Sequence, residues 1–173
     1  MGRMQREKGK RYERHIAAEL RTFWPETIVR RASQAERADN PDVFIEGGPR
    51  LLSRLWLELH DARNPSPLSK LEQAERDVDA YQAGRRVGDR ERLPVVIWHR
   101  IGERQSQVTT RLWVVDTIRR VSPSVGMQTV QMSFAHFTGL LFDAIANVPR
   151  EVEVCGMHGN SCDCVEKRKA VRK

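Results

Sequence analysis

The chain reads as a mixed α/β domain, a central sheet flanked by helices, with a short Cys/His-rich basic tail. Three observations predict this. Apolar residues recur at helical spacing near the start, in the middle and towards residue 146, and short apolar or β-branched runs lie between those stretches. The 173 residues, 39% of them hydrophobic, suffice for one core and show no second periodic block. All three cysteines fall after Pro149, where the pattern changes. The domain is accordingly assigned to residues 1–148 and the tail to 149–173.

From about Gln5 to Phe23, Tyr12, Ile16, Leu20 and Phe23 repeat at helical spacing among arginines and lysines, which predicts an amphipathic helix with a basic outer face. Trp24-Pro25 ends it. "TIVRRAS" is expected as a short strand, "QAERADNP" as a polar loop and "DVFIE" as a second strand, followed by a turn at Gly47-Gly48-Pro49. A third strand from Arg54 to His60 pairs with the second. Strand alternation then turns Leu55, Leu57 and Leu59 to one face and Trp56, Glu58 and His60 to the other.

"NPSPLSKLEQAERDVDAYQAG" predicts a helix capped by Ser66 or Ser69 and stopped by Gly84. "GRRVGDRER" is a charged loop, and "LPVVIWH" and "TRLWVVD" both read as buried strands. "TVQMSFAHFTGLLFDAIA" reads as a short strand, an N-cap at Ser133 and a closing helix.

Thirty Lys and Arg against 23 Asp and Glu give a formal net charge of +7. Such a surplus points to a polyanion, because neutralised phosphates release counterions and supply affinity without regard to sequence. Arg6, Lys8, Lys10, Arg11 and Arg14 crowd the first helix and are the expected contacts to nucleic acid. A basic RNA-binding or protein-interaction module is disfavoured for RNA by the low aromatic content, 6%. No apolar run approaches the ~20 residues of a membrane span, and a signal-peptide core is absent from "MGRMQREKGKRYER". A cytoplasmic protein with no membrane partner is expected.

Four groups are placed to meet: Glu13 on the first helix, Asp42 at the start of the second strand, and Glu58 with His60 on the third. Paired carboxylates suit a hard cation such as Mg²⁺ or Mn²⁺, which keeps waters and takes phosphate as a further ligand. With "KGKRYERHIAAEL", "NPDVFI", "WLELH" and "KLEQAERD" in that order, the chain resembles the PD-(D/E)xK nuclease superfamily over roughly residues 5–145. Within it, the resemblance is to the small phage and archaeal Holliday-junction-resolvase-like endonucleases. It implies a restriction-endonuclease-like sheet with an αβββαβ core. It also implies a metal site from Asp42, Glu58 and the backbone carbonyl of Leu59, supported by Glu13, and a homodimer acting on branched or structured DNA.

The resemblance departs at one position, because the family's motif lysine is His60 here. Neutral imidazole can accept a water's proton or ligate a metal, whereas lysine supplies a fixed charge. Some superfamily members supply the lysine from the following helix, which makes Lys70 the other candidate. The expected activity is a divalent-metal-dependent deoxyribonuclease. The alternative is a catalytically degenerate DNA-binding relative in phage recombination or packaging. In the tail, Cys155, His158, Cys162 and Cys164 form a thiolate and imidazole set of the kind that holds structural Zn²⁺.

Overall fold

The computed structural model describes residues 3–33, 40–83, 92–122 and 126–147. The chain order is α1 (Arg3–Phe23), β1 (Ile28–Arg31), β2 (Val43–Glu46), α2 (Arg50–Arg54), β3 (Leu55–Ala62), α3 (Pro67–Ala83), β4 (Leu93–Arg100), β5 (Gln107–Arg111), α4 (Leu112–Arg119), β6 (Thr129–Ser133) and α5 (Phe134–Ala146). The described strands form one six-stranded sheet in sequence order. Every neighbouring pair is antiparallel except β3 and β4, which run parallel over eight rungs from Leu55↔Leu93 to Ala62↔Arg100. The helix α3 is the crossover that a parallel pair requires.

The alternation expected along β3 holds, and it sorts the molecule into layers. Leu55, Leu57 and Leu59 join Tyr12, Ile16 and Leu20 of α1, Val114 and Ile118 of α4, and Phe134, Phe137 and Leu141 of α5 in the main core. Trp56 turns to the opposite face, where it meets Ala74 and Val78 of α3. Leu71 of α3 packs on Val96 and Trp98 of β4. Each fully buried leucine or phenylalanine contributes roughly 1.5–3 kcal/mol, so the main core carries most of the stability and leaves the α3 face free to hold polar groups.

Helix boundaries follow local chemistry. The Lys70 N–H donates to the Ser66 carbonyl, which makes Ser66 the flanking residue of α3. Ser133 caps α5 as expected, its hydroxyl accepting from the His136 N–H at 3.2 Å. The turn after β2 needs its glycines. Gly47 and Gly48 have φ of +75° and +64°, and a Cβ on Gly48 would lie 2.4 Å from the Thr27 methyl.

Two expectations need correction. "TRLWVVD" is not a strand: β5 stops at Arg111, and Leu112 to Arg119 is helical. Its β-branched residues suggest a strand, but Val114, Val115 and Ile118 fall on one helical stripe that buries against the sheet. The helix closes on Arg120 in the left-handed conformation, with its N–H bonded to the Thr117 carbonyl. The turn between β2 and β3 is also longer than a simple hairpin. It contains α2, which buries Leu52 and leads directly into β3 at Leu55. The expected stop at Gly84 and most of the loop after it lie outside the described residues.

Candidate functional site

The short β2–β3 ladder sets the positions of the two predicted carboxylates. Val43 pairs with Leu57, and just before it the Asp42 N–H donates to the Leu57 carbonyl at 3.0 Å. The Asp42 side chain reaches across to β3, where its Oδ2 accepts the Leu59 N–H at 3.0 Å. In extended backbone a residue's N–H and C=O point to the same side, so the Leu59 carbonyl faces the edge occupied by Asp42.

Glu58 lies beside that edge on the α3 face and is only 6% exposed. Its Oε1 accepts from Trp56 Nε1 at 3.1 Å, and its Oε2 lies 3.8 Å from Lys70 Nζ. Burial, then the negative charge of Asp42, pushes the Glu58 carboxyl up to about 8, and Lys70 only partly offsets them. A buried acid whose charge is under-compensated is a common mark of a functional position.

His60 follows on the same face, half-buried. Its imidazole is held below the ordinary range, first by burial and then by the nearby Lys70 ammonium. It is therefore neutral at pH 7. Lys70 acts on both Glu58 and His60, and its Nζ also donates to Gln73 Oε1 at 3.2 Å. Gln73 Nε2 in turn reaches Asp77 Oδ2 at 3.5 Å, and the Asp77 charge further raises Glu58. Lys70, Gln73 and Asp77 thus form one stripe of α3 along the border of its buried face, which is made by Leu71, Ala74 and Val78.

Glu13 is placed elsewhere. The helix α1 packs on the Leu57 and Leu59 side, so Glu13 approaches the sheet from the face opposite Glu58. There its buried carboxylate pairs with Arg31 of β1. Among the described residues, no three His, Cys, Asp or Glu side chains converge into a metal-holding group. The donors that do come together are Asp42, Glu58 and the Leu59 carbonyl. They suit an octahedral, water-retaining cation, which needs only one or two carboxylates from the protein.

On the outer side of α1, Arg11 and Arg14 are exposed, while Lys10 bonds Glu7 at 3.0 Å. Glu7 also lies 3.9 Å from Arg14, so part of the basic face is neutralised internally. The side chains of Arg6 and Lys8 lie outside those described. So do Cys155, His158, Cys162 and Cys164 and the rest of residues 149–173. No helix among the described residues is long and apolar enough to cross a membrane.

Sequence reasoning missed Trp56 and Asp77 as site neighbours. Both carried a readable signal: Trp56 is two residues from Glu58 on the same strand face, and Asp77 is seven from Lys70, two helical turns along one stripe. No family model and no curated protein matches the chain.

Proposed function

We propose that the chain is a metal-dependent DNA endonuclease of the PD-(D/E)xK type, with a restriction-endonuclease-like core, acting on branched or structured DNA as a homodimer. The observation that carries this reading is the buried Glu58 carboxylate, held beside Asp42 with a raised pKa and approached by Lys70. Asp42, Glu58 and the Leu59 carbonyl would hold Mg²⁺ or Mn²⁺. When bound, such an ion polarises the scissile phosphate and acidifies a water.

The chain's own residues divide the remaining work. Lys70 supplies the fixed positive charge that the family takes from its motif lysine, and it stands within reach of Glu58 from the following helix. His60, neutral at pH 7, is the nearby proton acceptor. Trp56 fixes one Glu58 oxygen, leaving the other to face Lys70 and the ligand. Arg11 and Arg14 on α1 supply phosphate contacts. Glu13, the expected supporting carboxylate, pairs with Arg31.

The direct test incubates wild type and Glu58→Ala with a labelled four-way junction and a matched duplex, with Mg²⁺, with Mn²⁺ and with chelator. Metal-dependent cutting that falls at least about 1,000-fold in Glu58→Ala supports the reading. A wild type that binds the junction without cutting it, and begins to cut as His60→Lys, identifies a degenerate relative. A protein that neither cuts nor distinguishes junction from duplex overturns the reading.

A further inference from the structure

Immediately beside the carboxylates, beyond the Val43↔Leu57 rung, β2 and β3 diverge around a cavity of about 370 Å³. Asn40 and Pro41 line the end next to Asp42, and Trp56 lines the end next to Glu58. The same Trp56 indole donates to Glu58, so the cavity wall and the candidate ligand share a hydrogen bond. Phe44, Tyr81 and Arg92 complete the rim.

The chemistry of that rim is specific. Tyr81 stands edge-on to Trp56, with ring centroids 5.3 Å apart at 67°. Arg92 lies over the Tyr81 ring at 5.2 Å and donates to its hydroxyl at 3.1 Å, while another guanidinium nitrogen bonds the Ser53 carbonyl. Arg30 lies over the Phe44 ring at 4.5 Å. Two aromatic rings, each carrying a guanidinium, thus frame one opening. Rings of this kind stack bases, and the guanidinium planes add cation–π attraction; Arg30 is paired at 3.0 Å with Glu46, which also lines the cavity, so the positive charge offered to a backbone is that of Arg92. The volume is within the range of small-ligand sites.

We propose that this cavity is a nucleobase subsite, which takes an unpaired base of the DNA strand whose phosphate lies at Asp42 and Glu58. Placement supports it. Residues two apart on a strand are about 6–7 Å apart, so the step from Glu58 to Trp56 matches the reach from a phosphate across its sugar to the base. A base paired in a duplex cannot enter a crevice between two strands. Entry requires a nucleotide already unstacked, as at a junction, gap or flap, which makes the cavity a selector for structured DNA. The inference rests on the nuclease reading for what is bound next door, but its test reads binding alone.

Full-length protein is mixed with Ca²⁺, a probe ion meant to support binding while cutting is absent. The DNA is either a duplex with one unpaired 2-aminopurine or its fully paired counterpart. Quenching of the unpaired 2-aminopurine by wild type is expected, together with a roughly 10-fold weaker affinity for that DNA in Phe44→Ala and Tyr81→Ala. Affinity for the paired duplex should stay within about twofold. Tyr81→Phe should retain the discrimination, and Phe44→Leu should lose it while keeping apolar bulk, which guards against a folding defect. Equal loss for both DNAs, or no change for either, overturns the subsite. Cutting of junctions without this discrimination removes the subsite and leaves the nuclease. Discrimination without cutting under any metal leaves the subsite and removes the nuclease.

Discussion

The helix α3 is tied to the sheet by two ion pairs built to opposite standards. At one, Arg111 donates from Nε and Nη2, one edge of its guanidinium, to the two oxygens of Glu75 at 2.7 Å each, while its remaining nitrogen donates to the Met127 carbonyl at 2.8 Å and to Thr129 at 3.1 Å. At the other, Lys70 stands 3.8 Å from Glu58, and its hydrogen bond goes to Gln73 instead. The first pair meets the requirement for a buried charge, which is full complementation in good geometry. The second leaves a buried carboxylate beside another carboxylate with one loosely placed cation. A chain that builds the first arrangement at Glu75, seventeen residues beyond Glu58, has no structural need for the second. On the proposed function, the difference separates a clamp from a site.

Three experiments test the contrast. The largest effect is expected from breaking the clamp. Arg111→Met leaves Glu75 half-buried without its partner and should lower unfolding free energy by about 3–4 kcal/mol in urea denaturation. Cleavage per folded molecule should be unchanged. A loss below about 1 kcal/mol would put the two pairs on the same footing.

Lys70→Ala comes next. Removing the cation from the loose pair should cost little stability but about 100-fold in metal-dependent cleavage rate, equivalent to ~2.7 kcal/mol of barrier. His60→Ala should cost less than Lys70→Ala if the helix carries the fixed charge. The reverse order in single-turnover rates would return that role to β3.

The smallest effect is the pH dependence of stability in metal-free protein. The folded Glu58 carboxyl titrates near 8, above its ordinary 4.5, so the folded state retains a proton that the unfolded state has released between those values. Stability should fall as pH rises through that window. Glu58→Gln should remove the fall, a difference of roughly 2 kcal/mol at pH 8, kept below the full linkage value by relaxation and water entry on ionisation. Parallel curves for wild type and Glu58→Gln would mean that the acid is well solvated or well paired.

Much of this arrangement was legible in the residues. The stripe of α1, the alternation of β3, the Ser133 cap and the adjacency of Asp42 to Glu58 all follow from periodicity and short-range chemistry. The helical fate of "LWVVD" did not, because β-branched residues favour strands and only burial of Ile118 on the same stripe tips the balance. The displacement of Glu13 to the far face was hidden for another reason. Its environment depends on which side of the sheet α1 covers, a tertiary choice that no local pattern encodes. The cavity beside Trp56 is less readable still, since it arises from the divergence of two strands across α2. The pairing of Lys70 with Glu58 lies between these cases: helical spacing put Lys70 and Gln73 on one face, and packing decided that Lys70 on its border reaches Glu58.

The eight-rung parallel pairing of β3 with β4 also has a consequence for how the protein is made. Glu58 aligns with Val96, so the strand bearing the acid waits for a partner that leaves the ribosome only after all of α3. Pairing across such a separation carries a loop-closure cost that no local contact repays beforehand. Asp42, Glu58, His60 and Lys70 therefore emerge early, and the contacts of Asp42 with β3 and of Lys70 with Glu58 need no residue of β4. A nascent chain halted before Leu93 would hold all four of those residues on a β3 whose other edge is still unpaired.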